Sequence, residues 1–191
     1  MPTQGADRPF RPTREQLLAA VGRTVPDLIA PRLRVLFCGI NPGLYSAAIG
    51  HHFGRPGNRF WPTLHAAGFT PRRLSPFEER ELLTYGCGIT NFVDRATAAA
   101  DELTEEELIR GAARLQRKVL RYAPKVLAVL GVGAYRTGFA QRTAKLGPQT
   151  RFIGETEVWV LPNPSGLNAH YQAGKLAEVF AELRREVERF K

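Results

Sequence analysis

Two apolar runs in this chain each end in a turn that carries a polar side chain. Leu33-Arg34-Val35-Leu36-Phe37-Cys38 leads into Gly39-Ile40-Asn41-Pro42-Gly43, and Val158-Trp159-Val160-Leu161 leads into Pro162-Asn163-Pro164-Ser165-Gly166-Leu167-Asn168. An Asn amide can hold a water molecule but is no strong general base. Asn41 therefore suits a reaction in which the leaving group departs early and water need only be positioned. Cleavage of an N-glycosidic bond has that character, because an oxocarbenium-like sugar forms as the base leaves. An Asn before Pro is also a common turn device, and on this motif alone both readings stand. The second turn offers an apolar tip, Leu167, where a soluble protein has little reason to expose one.

Other chemistries lack their residues. Gly39 to Gly43 lacks the glycines of a dinucleotide loop, and after Gly131-Val132-Gly133 the third position of that pattern falls on Arg136. Neither turn continues into the Gly-Lys-Ser/Thr of a phosphate loop, and Ser165 is not in a GxSxG elbow. His51-His52 has no partners at metal-ligand spacing, and two cysteines, Cys38 and Cys87, are too few for an iron–sulfur cluster. Both read as small core residues, Cys38 in a strand and Cys87 in a Gly-flanked turn. No metal and no cofactor is implied.

The elements that must position these turns follow from apolar runs and breakers. Runs at 33–38, 88–93, 125–130 and 156–161 read as strands. Thr13 caps a short helix over Arg14–Val21 that Gly22 stops, and residues 44–57 read as a long loop. Asn58 caps a helix to Ala67, ended by Gly68, and Ser75-Pro76 opens another to about Tyr85. Thr104 starts a longer helix whose Leu108, Ala112, Leu115, Val119 and Tyr122 share a face. A short helix over 133–141 and an amphipathic helix over 173–190 complete the alternation. Strand–helix alternation predicts an α/β fold, a three-layer α/β/α sandwich with a central, mainly parallel sheet in a single domain. Loops beyond the carboxyl ends of such strands converge on one crevice. Residues 1–12, rich in Pro, Gly and Arg, read as a poorly ordered arm before a domain over 13–191.

The 191 residues fit one domain with a sizeable core. A net charge of +9, from 27 Lys and Arg against 18 Asp and Glu, favours a polyanionic partner. The basic residues are dispersed, so charge proposes a partner class without identifying it. No apolar run approaches the roughly 20 residues of a membrane span, and no secretory leader opens the sequence. These features predict a cytoplasmic protein with no membrane partner.

Gly39-Ile40-Asn41-Pro42-Gly43, then Gly57-Asn58-Arg59-Phe60-Trp61, then Asn163-Pro164-Ser165-Gly166-Leu167 occur in this order. Together they resemble the mismatch-specific uracil/thymine-DNA glycosylase family of the uracil-DNA glycosylase superfamily, from about Asp27 through the C-terminal helix. Gly50-His51-His52-Phe53 and Ile89-Thr90-Asn91 look more like its thymine branch, and Val158 to Leu167 more like its bacterial mismatch-specific uracil branch. The resemblance implies that Asn41 positions the hydrolytic water and that an extruded base stacks on Phe53. It implies that backbone around Ile40 and Phe53 reads the uracil edge, with Ser46 and Asn91 lining the pocket. Asn163, Pro164, Ser165, Gly166, Leu167 and Asn168 match the loop that contacts DNA, with Leu167 as the wedge.

Departures from the family pattern are Asn168-Ala169 in place of Ser-Arg and Asn91 in place of a lysine found in some members. Asp94 falls where the family often carries an acid. It is a second catalytic candidate, or else a salt bridge to Arg95 or a helix cap. The implied partner is double-stranded DNA containing uracil or a related mismatched or damaged pyrimidine, bound by a monomer that associates with the nucleoid. The rivals are a non-catalytic nucleic-acid-binding protein on the same scaffold, and an enzyme of free nucleosides.

Overall fold

A computed structural model of the chain describes residues 10–166 and 171–190. Of the expected N-terminal arm, residues 1–9 lie outside the described residues, as do Leu167 and Asn168.

The four apolar runs form strands β1 (Val35–Gly39), β2 (Cys87–Asn91), β3 (Val126–Leu130) and β5 (Thr156–Leu161). Every residue of β1, β2 and β3 is buried, as expected of strands covered on both faces. With β4 (Gly147–Ile153) the sheet order is β2-β1-β3-β5-β4, and β1–β2, β1–β3 and β3–β5 are all parallel. Strand β4 pairs antiparallel with β5 and is an addition to the four expected strands. Its sequence, Gly-Pro-Gln-Thr-Arg-Phe-Ile, has no apolar residue pair before Phe152-Ile153 and opens on a Gly-Pro pair. It therefore reads as a loop, although Pro148 on an edge strand breaks no interior ladder.

Alternating side chains send the two sheet faces into separate cores. On one face Phe37, Ile89, Ala128 and Trp159 meet α3 (Phe60–Ala66) and α6 (Ala173–Val187). There Phe37 makes edge contacts with Phe60 at 5.5 Å and Phe69 at 5.3 Å, each contributing about 0.5–1.5 kcal/mol beyond area burial. On the other face Leu36, Cys38, Leu127 and Val160 meet α4 (Glu105–Tyr122) and α5 (Val132–Gly138). The molecule is thus a single three-layer α/β/α domain. Cys38 and Cys87 are both buried and free. Cys87 begins β2 and does not lie in the turn before it.

Four local expectations need correction. The long loop over 44–57 begins with a helix, α2 (Leu44–Ile49), between Gly43 and a left-handed Gly50. Its six residues carry no capping side chain, and packing of Ser46 and Ala47 holds them. The helix expected from Asn58 starts at Phe60 with Arg59 as its cap residue. Asn58 still serves that end, its Oδ1 accepting the Phe60 N–H at 2.9 Å. The first helix, α1 (Arg14–Leu18), is shorter than expected but starts on the Thr13–Gln16 capping box. The segment Pro76–Tyr85 winds as a 3-10 helix.

Strand order explains where a ligand site must lie. From β1 the chain goes to β2 on one side and then crosses to β3 on the other. A crevice therefore opens beyond the carboxyl ends of β1 and β3, where the order reverses.

Candidate active site

The crevice has a volume of about 380 Å³ and is lined from four parallel strand ends: Gly39 ending β1 and Ile40 after it, Asn91 at β2, Leu130 at β3 and Asn163 after β5. Asn41, Ser46 and Phe53 join them. Expected site residues scattered over 120 positions of sequence thus share one cleft.

Asn41 is fixed in orientation by its amide nitrogen. Nδ2 donates to the Arg95 carbonyl at 3.0 Å and to Thr97 Oγ1 at 2.7 Å. A backbone carbonyl can only accept, so the amide cannot be turned the other way. Thr97 Oγ1 in turn donates to the Ala99 carbonyl at 2.7 Å, which leaves it free to accept from Asn41. Both Nδ2 hydrogens are thereby used, and Oδ1 remains as the acceptor of a half-buried amide on the cleft wall. The 92–97 stretch is itself laid along the turn by Phe92 N–H to Gly39 O, Val93 N–H to Ile40 O and Thr97 N–H to Pro42 O. Arg95 is anchored by a two-point ion pair to Glu107. The Arg95 guanidinium, with the Thr104 backbone N–H, holds the Glu107 carboxyl down at about 2.

Phe53 occupies the left-handed region at φ 51, a conformation that costs a non-glycine residue about 1–3 kcal/mol. The turn around it is tied on three sides. Ser46 Oγ accepts the Gly54 N–H at 2.9 Å, and Ser46 O accepts the His51 N–H at 3.1 Å. Glu79, from the 3-10 helix, accepts from the His52 N–H and pairs with His51 Nδ1, both at 2.9 Å. One face of the Phe53 ring is covered by Phe60, with centroids 4.0 Å apart and planes at 23°. Among the described residues no protein group accepts the Phe53 N–H.

His52 lies under this turn, 3% exposed. Its Nε2 faces the Pro26 carbonyl at 2.9 Å, so Nε2 carries the proton. Burial pushes its pKa below the ordinary histidine value, against the pull of Glu79, and so favours the neutral ring.

Gly39 explains how Phe53 and Asn91 can meet. A Cβ there would stand 2.6 Å from Asn91 Oδ1 and 3.3 Å from the Phe53 ring. Asn91 is 7% exposed, and among the described residues its side-chain amide has no hydrogen-bond partner. A buried amide so placed retains its donors and its acceptor for whatever enters the cleft.

The opposite wall is the turn after β5. Asn163 Oδ1 accepts the Ser165 N–H at 2.9 Å, an Asx turn. Arg59 gathers the rest: its N–H reaches Pro164 O at 3.0 Å, and its guanidinium reaches Ser165 O at 2.5 Å and Tyr171 O. Gly166 abuts Gly57, where a Cβ would come within 2.6 Å of the Gly57 carbonyl.

Asp94 does not join this cleft. It is half-exposed, pairs with Arg114 at 3.7 Å, and lines a separate cleft with Thr24, Arg95, Glu107, Arg110 and Arg114. Its partner is on α4, and it is neither Arg95 nor a helix terminus. Sequence reasoning missed Thr97, Glu79 and the positioning role of Arg59. Arg59 sits inside a quoted motif and carried a signal, whereas Thr97 and Glu79 stand in stretches with none. Among the described residues no group of three His, Cys, Asp or Glu side chains could hold a metal ion. No helix among them is long and apolar enough to cross a membrane.

A family model described as the uracil DNA glycosylase superfamily matches residues 26–188. That span takes in every strand and all the residues named above for the Asn41 cleft. The chain therefore belongs to the uracil DNA glycosylase superfamily, and as a member of it is a DNA-repair glycosylase of the kind that removes uracil or damaged bases from DNA.

Proposed function

We propose that this protein flips uracil, preferably mismatched with guanine, out of duplex DNA and hydrolyses its N-glycosidic bond, leaving an abasic site. One observation carries the reading: an Asn41 amide locked through Nδ2, with Oδ1 left to accept, in the same cleft as Phe53 and Asn91. Oδ1 holds the water that meets the sugar as the bond to the base breaks. The departing base stacks on the Phe53 face that Phe60 leaves open. The Phe53 N–H stabilises the charge gathering on the uracil oxygen, as fixed backbone donors do for other oxyanions. Asn91 supplies donor and acceptor to the base edge. Among the described residues the lining contains no lysine, which supports simple hydrolysis over an amine-dependent lyase step.

Extruding a base costs a few kcal/mol, least at a mismatch, which supports the preference for guanine-paired uracil. Leu167, outside the described residues, is assigned the wedge role by its place in the Asn163-to-Leu167 motif. We assign catalysis to Asn41 alone. Asp94, beside Arg114 in the other cleft, orders the loop after β2.

The test is incubation with duplexes carrying U:G, U:A or T:G and with single-stranded uracil DNA, followed by alkaline cleavage at abasic sites. Fastest cleavage at U:G is expected. Tight binding with no cleavage at any substrate would establish the non-catalytic rival, and release of base from free nucleosides alone would establish the other.

A further inference from the structure

Residues 13–25 precede the matched domain, yet they pack against the parts that hold Asn41. Ala20 (0% exposed) and Val25 (6%) form a small core with Ala47 of α2 and Ala96. Two backbone bonds complete the contact: Gly22 N–H to Ala96 O at 3.0 Å, and Ala96 N–H to Arg23 O at 2.8 Å. Gly22, at φ +73, makes the reversal that brings both groups into line. Ala96 lies between the two residues that fix Asn41, Arg95 through its carbonyl and Thr97 through its hydroxyl. Ala47, on the other side, sits in the helix that follows the Asn41 turn and bonds back to Gly43 O. The segment thus touches the Asn41 turn from both directions. Helix α1 itself buries no residue, so the contact is concentrated in 20–25.

We propose that residues 20–25 are a positioning clasp: they hold Ala96, and through it Arg95 and Thr97, so that Asn41 keeps its amide aimed at the reacting water. The clasp sets the rate of excision and not the affinity for DNA, and it rests on the reading of Asn41 given above. Misplacement of a reacting group by about 1 Å can cost about 100-fold in rate, and the clasp has a lever of that size.

The test uses the full chain. A20D places a charge where the side chain is fully buried. G22P removes the N–H that bonds Ala96 and forbids the positive φ. A20V, a milder overpacking, keeps the test readable should A20D fail to fold, and L18E alters an exposed position of α1 as a control. Single-turnover excision of uracil opposite guanine, affinity for abasic duplex and Tm are measured for each, alone and combined with N41A. The expected result is excision about 10–100-fold slower in A20D and G22P, with A20V intermediate and L18E like wild type. Abasic-site affinity should stay within about threefold, and the clasp variants should slow N41A no further, as expected of residues acting through one another. Wild-type rates in A20V and G22P, or losses that multiply with that of N41A, overturn the clasp. Undiminished excision by N41A itself would instead overturn the assignment of Asn41.

Discussion

The two walls of the cleft are built on different plans. The Asn41 wall is cross-tied: the 92–97 stretch, α2 and residues 20–25 all bond or pack against it, and the Asn41 amide has no freedom to rotate. The Asn163–Gly166 wall is gathered at its base, where Arg59 takes three carbonyls and Gly57 meets Gly166. Beyond that base the chain runs on to Leu167. The contrast fits two tasks. On the proposed function a water must be held within a fraction of an ångström, whereas a loop that enters a duplex needs a firm root.

Substitutions at each wall should therefore fail differently. Apart from Asn41 itself, Gly39→Ala should do the most damage, because its Cβ would stand 2.6 Å from Asn91 Oδ1 and force that buried amide to move. About a 100-fold loss of excision is expected, read by single-turnover kinetics. Arg59→Ala should act on the other wall. Hydrogen bonds to a charged group contribute about 1.5–3 kcal/mol each, so abasic-duplex affinity should fall about tenfold or more. Excision at saturating enzyme should change far less; an equal fall in both would erase the distinction between the walls.

A pH effect should come from His52, which sits below the Phe53 turn. Its pKa is lowered in the fold by burial, so the unfolded chain binds the proton more readily, and stability rises with pH in that window. His52 thus adds stability that is present above about pH 6.5 and is lost as pH falls toward the lowered folded value. Thermal melts of wild type between pH 7.5 and 5 should slope more steeply than those of His52→Gln. Asp94→Ala should do least. An exposed ion pair contributes about 0–1 kcal/mol, and Asp94 lies off the cleft, so excision should stay within about twofold of wild type. A loss matching that of an Asn41 variant would restore the carboxylate to the chemistry.

The sequence shows one wall better than the other. The runs before Asn41 and Asn163 are legible because a central strand is apolar on both faces, and the Gly and Pro after each mark its end. Helix α2 is hidden because Leu44–Ile49 has no capping side chain and is held by Ala20, Val25 and Ala96. Strand β4 is hidden because an edge strand with alternating exposure needs no apolar run, and its only large apolar side chains, Phe152 and Ile153, come at its end. Thr97 is illegible because its value lies in a bond to a residue 56 positions away. Asp94 misleads because, in a stretch whose backbone follows the Asn41 turn, its side chain pairs with Arg114 of α4 and lines the other cleft. Position along the chain does not say which side of a loop a carboxylate takes.

The central claim is that Asn41 acts on the bond-breaking step through a water and contributes little to holding DNA. Single-turnover excision of a U:G duplex by Asn41→Ala, with abasic-duplex affinity measured in parallel, tests it most directly. The account predicts a rate lower by about 10²–10⁴-fold at an affinity within a few-fold of wild type. Excision at the wild-type rate, or a loss confined to binding, would contradict it.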